Sequence, residues 1–400
     1  MSIINPTGYY YMSSHEGPGG TPTIEWREGA PKIFYTRNWD DGNEYFYIEF
    51  KDGEAFATNR LREILDFELL RAIKDLNNDT YLVLNNSHEA FLSVVEPIYR
   101  YIVMGHGIPP EKIILLSGSF DIAEEIERVR PMYNRGPIKA ELDMPFEDMA
   151  HTFMEVSQHE GWWQAPKTLV DKSYDKKYIN FNRRWRVHRP TFVMLLHAYG
   201  LLDKGYVSLA PSDDGQNWDQ SWKSVVVMNQ DFPHLVSLAY KHREELINMP
   251  PLYLDHMDLV TNRAMPELGT NYLYENSYFS LVSETHYYMS HSGYEPTRFL
   301  SEKAWKPIMF KHPFIMISTP GILTSLKQIG YQSFDGIINE DYDKISNDGD
   351  RMMAIIEETQ RLCALTPEEL TKFLNECREV CNFNYNVLLN KTKFQHRLNY

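Results

Sequence analysis

Two continuous apolar runs, Tyr81-Leu82-Val83-Leu84 and Ile113-Ile114-Leu115-Leu116, limit the possible folds of this chain more than any other feature. A strand exposed on one face alternates apolar and polar residues. A strand that is apolar at every position needs cover on both faces, which is the condition of a parallel sheet lying between layers of helix. Strands are therefore expected over Thr80–Leu84 and Lys112–Leu116, and Ala90–Met104 between them has helical spacing, giving a β-α-β unit. Ahead of it, Lys32–Arg37 and Glu44–Phe50 alternate aromatic and polar residues and read as strands, and Asn59–Leu76 reads as a helix.

A second α/β series follows residues 145–175, where Trp162-Trp163-Gln164-Ala165-Pro166 precedes a polar stretch. Strands are expected at Tyr178–Phe181, Tyr206–Leu209, Tyr278–Val282, Pro313–Ile317 and Tyr331–Phe334. Helices are expected at Pro190–Leu201, around Glu302–Phe310 and at Gly321–Ile329. Two more helices close the chain, Gly349–Leu365 and Pro367–Leu389. The second is opened by Thr366 as N-cap, Pro367 at the first helical position and Glu368-Glu369 in the first turn. A chain of 400 residues exceeds what one core usually holds. The expected organisation is an α/β domain over 1–165, a second over 166–365 and a terminal helix over 366–400. Open parallel sheets take ligands beyond the carboxyl ends of their strands, so a site is expected in a crevice between the two domains.

Composition excludes several classes of function. Apolar residues at 43% and aromatic residues at 14% speak against disorder, and a net charge of −15 speaks against broad attraction to DNA or anionic membranes. The three cysteines, Cys363, Cys377 and Cys381, cannot build a disulfide framework and suit a reducing compartment as buried thiols. The first twenty residues lack a basic and then apolar leader, and no window has the roughly 20 apolar residues of a membrane helix, so a cytoplasmic protein without a transmembrane segment is expected. Signatures of P-loop hydrolysis, zinc proteolysis and nucleophile-elbow chemistry do not occur.

The charge that matters is local. From Lys176 to Arg189, six of fourteen residues are Lys or Arg, against 40 in the whole chain of 400. The run leads from a strand into a loop and then a helix. Backbone N–H groups and arginine forks in such a place suit phosphate oxygens, with Arg183 and Arg184 nearest the strand end. The plainer account is a solvated basic loop. Further on, the strand Tyr278–Val282 ends in Ser283-Glu284, and Ser301 can cap a helix opened by Glu302 and Lys303, whose carboxylate suits ribose hydroxyls and whose ammonium suits a phosphate; an ordinary exposed helix start would look the same. Pro307, inside that helix, implies a kink. In the first half, His88 and Glu89 follow a strand end and could supply a general base, or simply begin a helix. Asp341-Tyr342-Asp343 and Asp348-Gly349-Asp350 have the DxD spelling of some metal sites but read as turn and helix-cap acids.

Taken in order, Ile179-Asn180-Phe181-Asn182-Arg183-Arg184, the strand ending in Ser283-Glu284, the segment Phe299–Ile308, the segment His312–Gly321 and Tyr331–Phe334 resemble the donor domain of GT-B glycosyltransferases. They look most like the α1,3-fucosyltransferase type and related proteins of phages and large viruses. The resemblance covers about residues 176–340 and departs from the pattern at Lys306-Pro307, where the family has Arg-Asn. It implies two Rossmann-like domains facing across a cleft and a nucleoside diphosphate sugar, UDP- or GDP-linked, as donor substrate, with no metal and no other cofactor required. By the same resemblance Glu302 and Ser301 lie at the ribose, Lys303, Lys306 and Arg184 or Arg183 at the phosphates, and Glu284 near the sugar or base.

The expected reaction is inverting, metal-independent transfer of a hexosyl or fucosyl group to a hydroxyl of a glycan or protein, in the cytoplasm, including that of a virus-infected host. Two alternatives stay open: a viral enzyme that glycosylates a hydroxymethylated DNA base, and an inactive binder of sugars or nucleotides.

Overall fold

The computed structural model describes residues 10–16, 22–26, 32–37, 44–49, 71, 73–76, 80–87, 90–160, 174–182, 185–209, 218–249, 252, 254, 271–289 and 297–391. The chain divides into two compact units at Pro145/Phe146. Each contains a largely or wholly parallel sheet with helices, the expected α/β architecture.

The first unit opens with an antiparallel pair, β1 (Tyr10–Glu16) and β2 (Pro22–Trp26), inside the Gly/Pro-rich opening where no strand is expected. Its main sheet comprises β3 (Lys32–Arg37), β4 (Glu44–Glu49), β5 (Thr80–Asn86), β6 (Ile113–Ser117) and β7 (Lys139–Leu142). They lie in chain order, with β3 antiparallel at the edge and the rest parallel. Leu82, Val83 and Leu84 are each fully buried and β6 is buried throughout, which is why these runs have no polar face. The connection between β5 and β6 is not a uniform α-helix. Pro97 ends a single α turn, having no N–H to continue the ladder, and Ile98–Gly105 winds as a wider π-helix that buries Ile98, Tyr99, Ile102 and Val103. Helix α1 (Ile122–Val129) follows β6. Of the expected helix Asn59–Leu76, only residue 71 and residues 73–76 are described.

In the second unit β8 (Lys176–Asn180), β9 (Gly205–Val207), β10 (Ser277–Ser283) and β11 (Phe314–Ile317) form an all-parallel sheet in the order β11-β10-β8-β9. Both β10 and β11 are buried at every position. The Tyr178 ring occupies the space a Cβ at position 205 would need, so β9 can approach β8 because it starts with Gly205. The helices are α2 (Pro145–Glu160), α3 (His188–Ala198), α4 (Trp218–Met228), α5 (Pro233–Lys241), α6 (Arg243–Asn248), α7 (Asn271–Glu275), α8 (Glu302–Met309), α9 (Ile322–Gln328), α10 (Asp348–Ala364) and α11 (Pro367–Leu389). The expected capping box forms: Glu369 N donates to Thr366 Oγ1 at 3.2 Å and Thr366 N to Glu369 Oε2 at 2.8 Å.

Three further features differ from expectation. The division falls at Pro145/Phe146 rather than 165/166 because α2 packs into the second unit: Phe146 meets Phe299 edge to face, and Tyr331 Oη donates to Glu147 Oε1 at 2.8 Å. Helix α11 belongs to that same unit, its Leu388 carbonyl lying 3.0 Å from His151 Nδ1. Tyr331–Phe334 is no strand. Gln332 N is met by Asn384 Oδ1 at 2.8 Å, Phe334 N by Glu340 Oε1 at 2.7 Å and Tyr331 N by the Leu326 carbonyl at 3.2 Å, which takes these donors out of any ladder.

Candidate functional site

The strand order of the second sheet decides where a ligand can enter. From β8 the chain crosses to β9 on one side, and later strands build on the other side, β10 directly against β8. The connections leaving the carboxyl ends of β8 and β10 therefore diverge, the arrangement at which open parallel sheets hold ligands.

At the end of β8 two asparagines tie three strands together. Asn180 Nδ2 donates to the Leu281 carbonyl at 2.8 Å and Ser283 Oγ at 3.1 Å. Asn182 Nδ2 donates to Asn180 Oδ1 at 2.6 Å and the Ser208 carbonyl at 3.0 Å, while Asn182 N donates to Ser208 Oγ at 3.0 Å. Arg183 and Arg184, the next residues, lie outside the described residues. The start of α3 is wired to the end of β10. Arg189 Nη2 donates to the carbonyls of Ser283 and Glu284, each at 3.2 Å, and His188 Nε2 lies 2.9 Å from the Glu284 carbonyl. The His188 ring stacks on Tyr287 at 5.5 Å. Complete burial, with Arg189 adjacent, holds His188 well below the usual histidine range, so it is neutral, and the carbonyl fixes the proton on Nε2.

At the end of β10 the Glu284 carboxylate is fully buried. It accepts from Ser301 N at 3.1 Å, Ser301 Oγ at 2.6 Å and Thr285 N at 3.0 Å. Burial raises its pKa, and the nearby Lys303 ammonium opposes that rise. Ser301 is the N-cap of α8, and its hydroxyl has every valence used: it donates to Glu284 and accepts from Lys303 N at 3.4 Å and Lys303 Nζ at 3.0 Å. Lys303 Nζ also donates to Glu302 Oε1 at 2.7 Å, and both side chains remain 23% exposed. Burial would raise Glu302, but Lys303 and, less strongly, Lys306 outweigh it and hold the carboxyl down at about 2.

Lys303 and Lys306 then line one recess with Phe181, Tyr274, Ser283 and Pro307. Pro307 removes the N–H that would bond the Lys303 carbonyl one turn earlier and faces this recess instead.

Of the residues singled out from the sequence, Glu284, Ser301, Glu302, Lys303 and Lys306 thus come together at one strand end. His88 and Glu89 lie outside the described residues, as do Arg183 and Arg184. Asp343 is a buried acid that accepts from Leu323 N at 3.3 Å in the first turn of α9. Asp348 pairs with Arg351 at 2.6 Å, both side chains 1% exposed. Arg351 also donates to the carbonyls of Tyr287, Ser318 and Ile345 and lies over the Tyr287 ring at 4.4 Å. Sequence reasoning saw Asp348 as a helix-cap acid but missed its partner Arg351, and it missed the roles of His188, Arg189 and the two asparagines. A neutral His, and a charged residue at helical spacing from an acid, look the same in sequence whether buried or exposed; only Asn180 and Asn182, polar at the end of an apolar strand, were visible signals.

No protein-family model matches the chain, and no curated protein matches it. Among solved structures it is similar to the N-terminal domain of trehalose-6-phosphate phosphatase from Candida albicans, at 11% identity and a TM-score of 0.35 over 85% of this chain and 76% of that one. It is also similar to a UDP-forming α,α-trehalose-phosphate synthase from Burkholderia xenovorans, at 11% identity and a TM-score of 0.37 over 90% and 88% of the two chains. One fold can host many functions, so function rests on the site's own residues. No helix among the described residues is long and apolar enough to cross a membrane.

Proposed function

We propose that the second unit binds a nucleoside diphosphate sugar at the carboxyl ends of β8 and β10 and that the protein is a glycosyltransferase of the GT-B type, acting on a hydroxyl of a glycan or protein. The observation that carries this is the pair of cations, Lys303 and Lys306, lining a recess with Phe181 and Ser283 at the point where the strand order reverses. In this reading the lysines, with Arg183 and Arg184 from the segment after β8, neutralise the diphosphate. Glu302 stays ionised beside Lys303 and accepts from ribose hydroxyls. Glu284 is sealed from solvent and acts on the ligand indirectly, by fixing Ser301 and through it the Lys303 ammonium.

The chemistry is a displacement. A general base, assigned to Glu89 or His88, removes the acceptor's hydroxyl proton as its oxygen forms a bond to the anomeric carbon. The bond from that carbon to the diphosphate breaks, and the diphosphate leaves with the electron pair. Negative charge grows on the leaving group, so fixed cations there lower the barrier.

The experiment is a panel of UDP- and GDP-sugars incubated with the full chain while free UDP or GDP is measured. Release from one donor, reduced by about two orders of magnitude in Lys303→Ala with unchanged far-UV circular dichroism, is the expected result. Equal release by the variant would refute the assignment of Lys303.

A further inference from the structure

We infer that Asn182 reads the nucleoside half of the ligand, accepting a hydrogen bond at Oδ1 from one of its N–H or O–H groups. This rests on the proposed nucleotide site and extends it from the phosphates to the uncharged part of the molecule.

Asn182 is 1% exposed, and its side-chain oxygen has no hydrogen-bond partner among the described residues. Its orientation is set by chemistry. Both hydrogens of the amide are committed, to Asn180 Oδ1 at 2.6 Å and the Ser208 carbonyl at 3.0 Å, and a flipped amide would press its oxygen against two other acceptors. The oxygen is therefore the surplus group, turned away from the two acceptors that fix the nitrogen. A buried amide oxygen left without a donor is costly enough that folded proteins seldom keep one. Here the surrounding hydrogen bonds hold it in place. Asn180 anchors Asn182 to β10 through Ser283, and Ser208 anchors it to the end of β9, so the oxygen cannot relax towards another donor without breaking that ladder.

What it can accept from follows from its type and position. An amide oxygen repels phosphate oxygens, so the diphosphate is not its partner; a ribose hydroxyl or a nucleobase N–H is. Asn182 also directly follows Phe181, which lines the recess with Lys303 and Lys306 beside the reversal in strand order, so a ligand whose phosphates meet those lysines has its nucleoside within the same strand-end region. A site that must hydrogen-bond one donor discriminates strongly against ligands lacking it, because its own acceptor is then stranded.

The test titrates the full chain with inorganic pyrophosphate, UDP and GDP, before and after Asn182→Ala. The expected result is that one nucleotide binds more tightly than pyrophosphate, and that the variant weakens that nucleotide about tenfold while pyrophosphate affinity is unchanged. Equal losses for nucleotide and pyrophosphate, or no loss at all, overturn the inference. Should the variant not fold, the unmodified protein is titrated with analogues of the preferred nucleotide carrying a methyl group on one ribose hydroxyl or on a base nitrogen. At least one should bind about tenfold more weakly, and undiminished binding of all of them overturns the inference. Pyrophosphate binding without preference for either nucleotide removes the role of Asn182 and leaves the phosphate cradle standing. Failure of all three ligands to bind removes the proposed function as well.

Discussion

The two sheets of this protein use similar strands and end them differently. In the first unit the parallel strands run in chain order, and the described polar groups at the ends of β5 and β6 close on one another. Asn85 Oδ1 takes Ser87 N at 2.9 Å and Ser87 Oγ at 2.6 Å, Ser117 Oγ takes Ser119 N at 3.1 Å, and Ser119 Oγ takes Asp121 N at 3.0 Å. These are neutral caps that finish a strand. In the second unit the order reverses between β8 and β10, and the strand ends carry a buried carboxylate, two lysines beside a recess and an amide oxygen that has no partner among the described residues. Apolar strand bodies make the sheet; strand order and the few residues after each strand decide whether its end can hold a ligand.

That contrast can be broken or sharpened by substitution. The largest effect is expected at Arg351→Leu, which leaves Asp348 buried without its guanidinium and frees the carbonyls of Tyr287 and Ser318. Urea unfolding should show a loss of about 3–5 kcal/mol, and an unchanged midpoint would mean that the segment after β10 is held by packing alone. Next comes Lys303→Ala, expected to weaken pyrophosphate binding about tenfold or more with little change in melting temperature; a large fall in melting temperature would recast Lys303 as a structural cap. Ser119→Ala in the first unit should do the reverse. It should cost about 1 kcal/mol of stability and leave ligand affinity unchanged.

The pH dependence is a net effect, in which groups of opposite sense partly cancel. His188 lies well below the usual histidine range through burial, and His312, held by Ser280 Oγ at 2.8 Å and the Ser277 carbonyl at 2.9 Å, is pushed by burial down to about 4. A depressed histidine pKa means that the unfolded chain binds more protons below about 6.5. Stability from both residues is thus present above that pH and lost as it falls towards 4. Glu284 acts in the opposite sense, since its raised pKa makes its burial less costly on acidification. The melting temperature of the full chain should fall between pH 6.5 and 4, less steeply in His312→Gln. A slope identical in that variant would show that His312 contributes nothing to it.

The sequence made the strand bodies legible because burial on both faces leaves only apolar residues, and the cap of α11 legible because Thr366-Pro367-Glu368-Glu369 is locally sufficient. Ser301 was legible as a cap for the same reason. Strand order was not, because pairing between β8 and β10 is set by packing between segments about a hundred residues apart. Tyr331–Phe334 misled because a short segment bounded by aromatic residues also suits a loop, here one whose Gln332 and Phe334 N–H groups are met by Asn384 and Glu340. Glu284 was visible as an acid at a strand end, but its complete burial depends on Ser301, 17 positions away. Asp348 was legible only as a helix-cap acid; Arg351, Tyr287 and the Ser318 carbonyl make it part of a core element.

Calorimetric titration of UDP and GDP into the full chain and into Lys303→Ala/Lys306→Ala tests the central claim most directly. Saturable binding of one nucleotide by the unmodified protein, weakened at least about a hundredfold in the double variant, is the predicted result. Equal binding by both proteins, or no binding of either nucleotide, would contradict it.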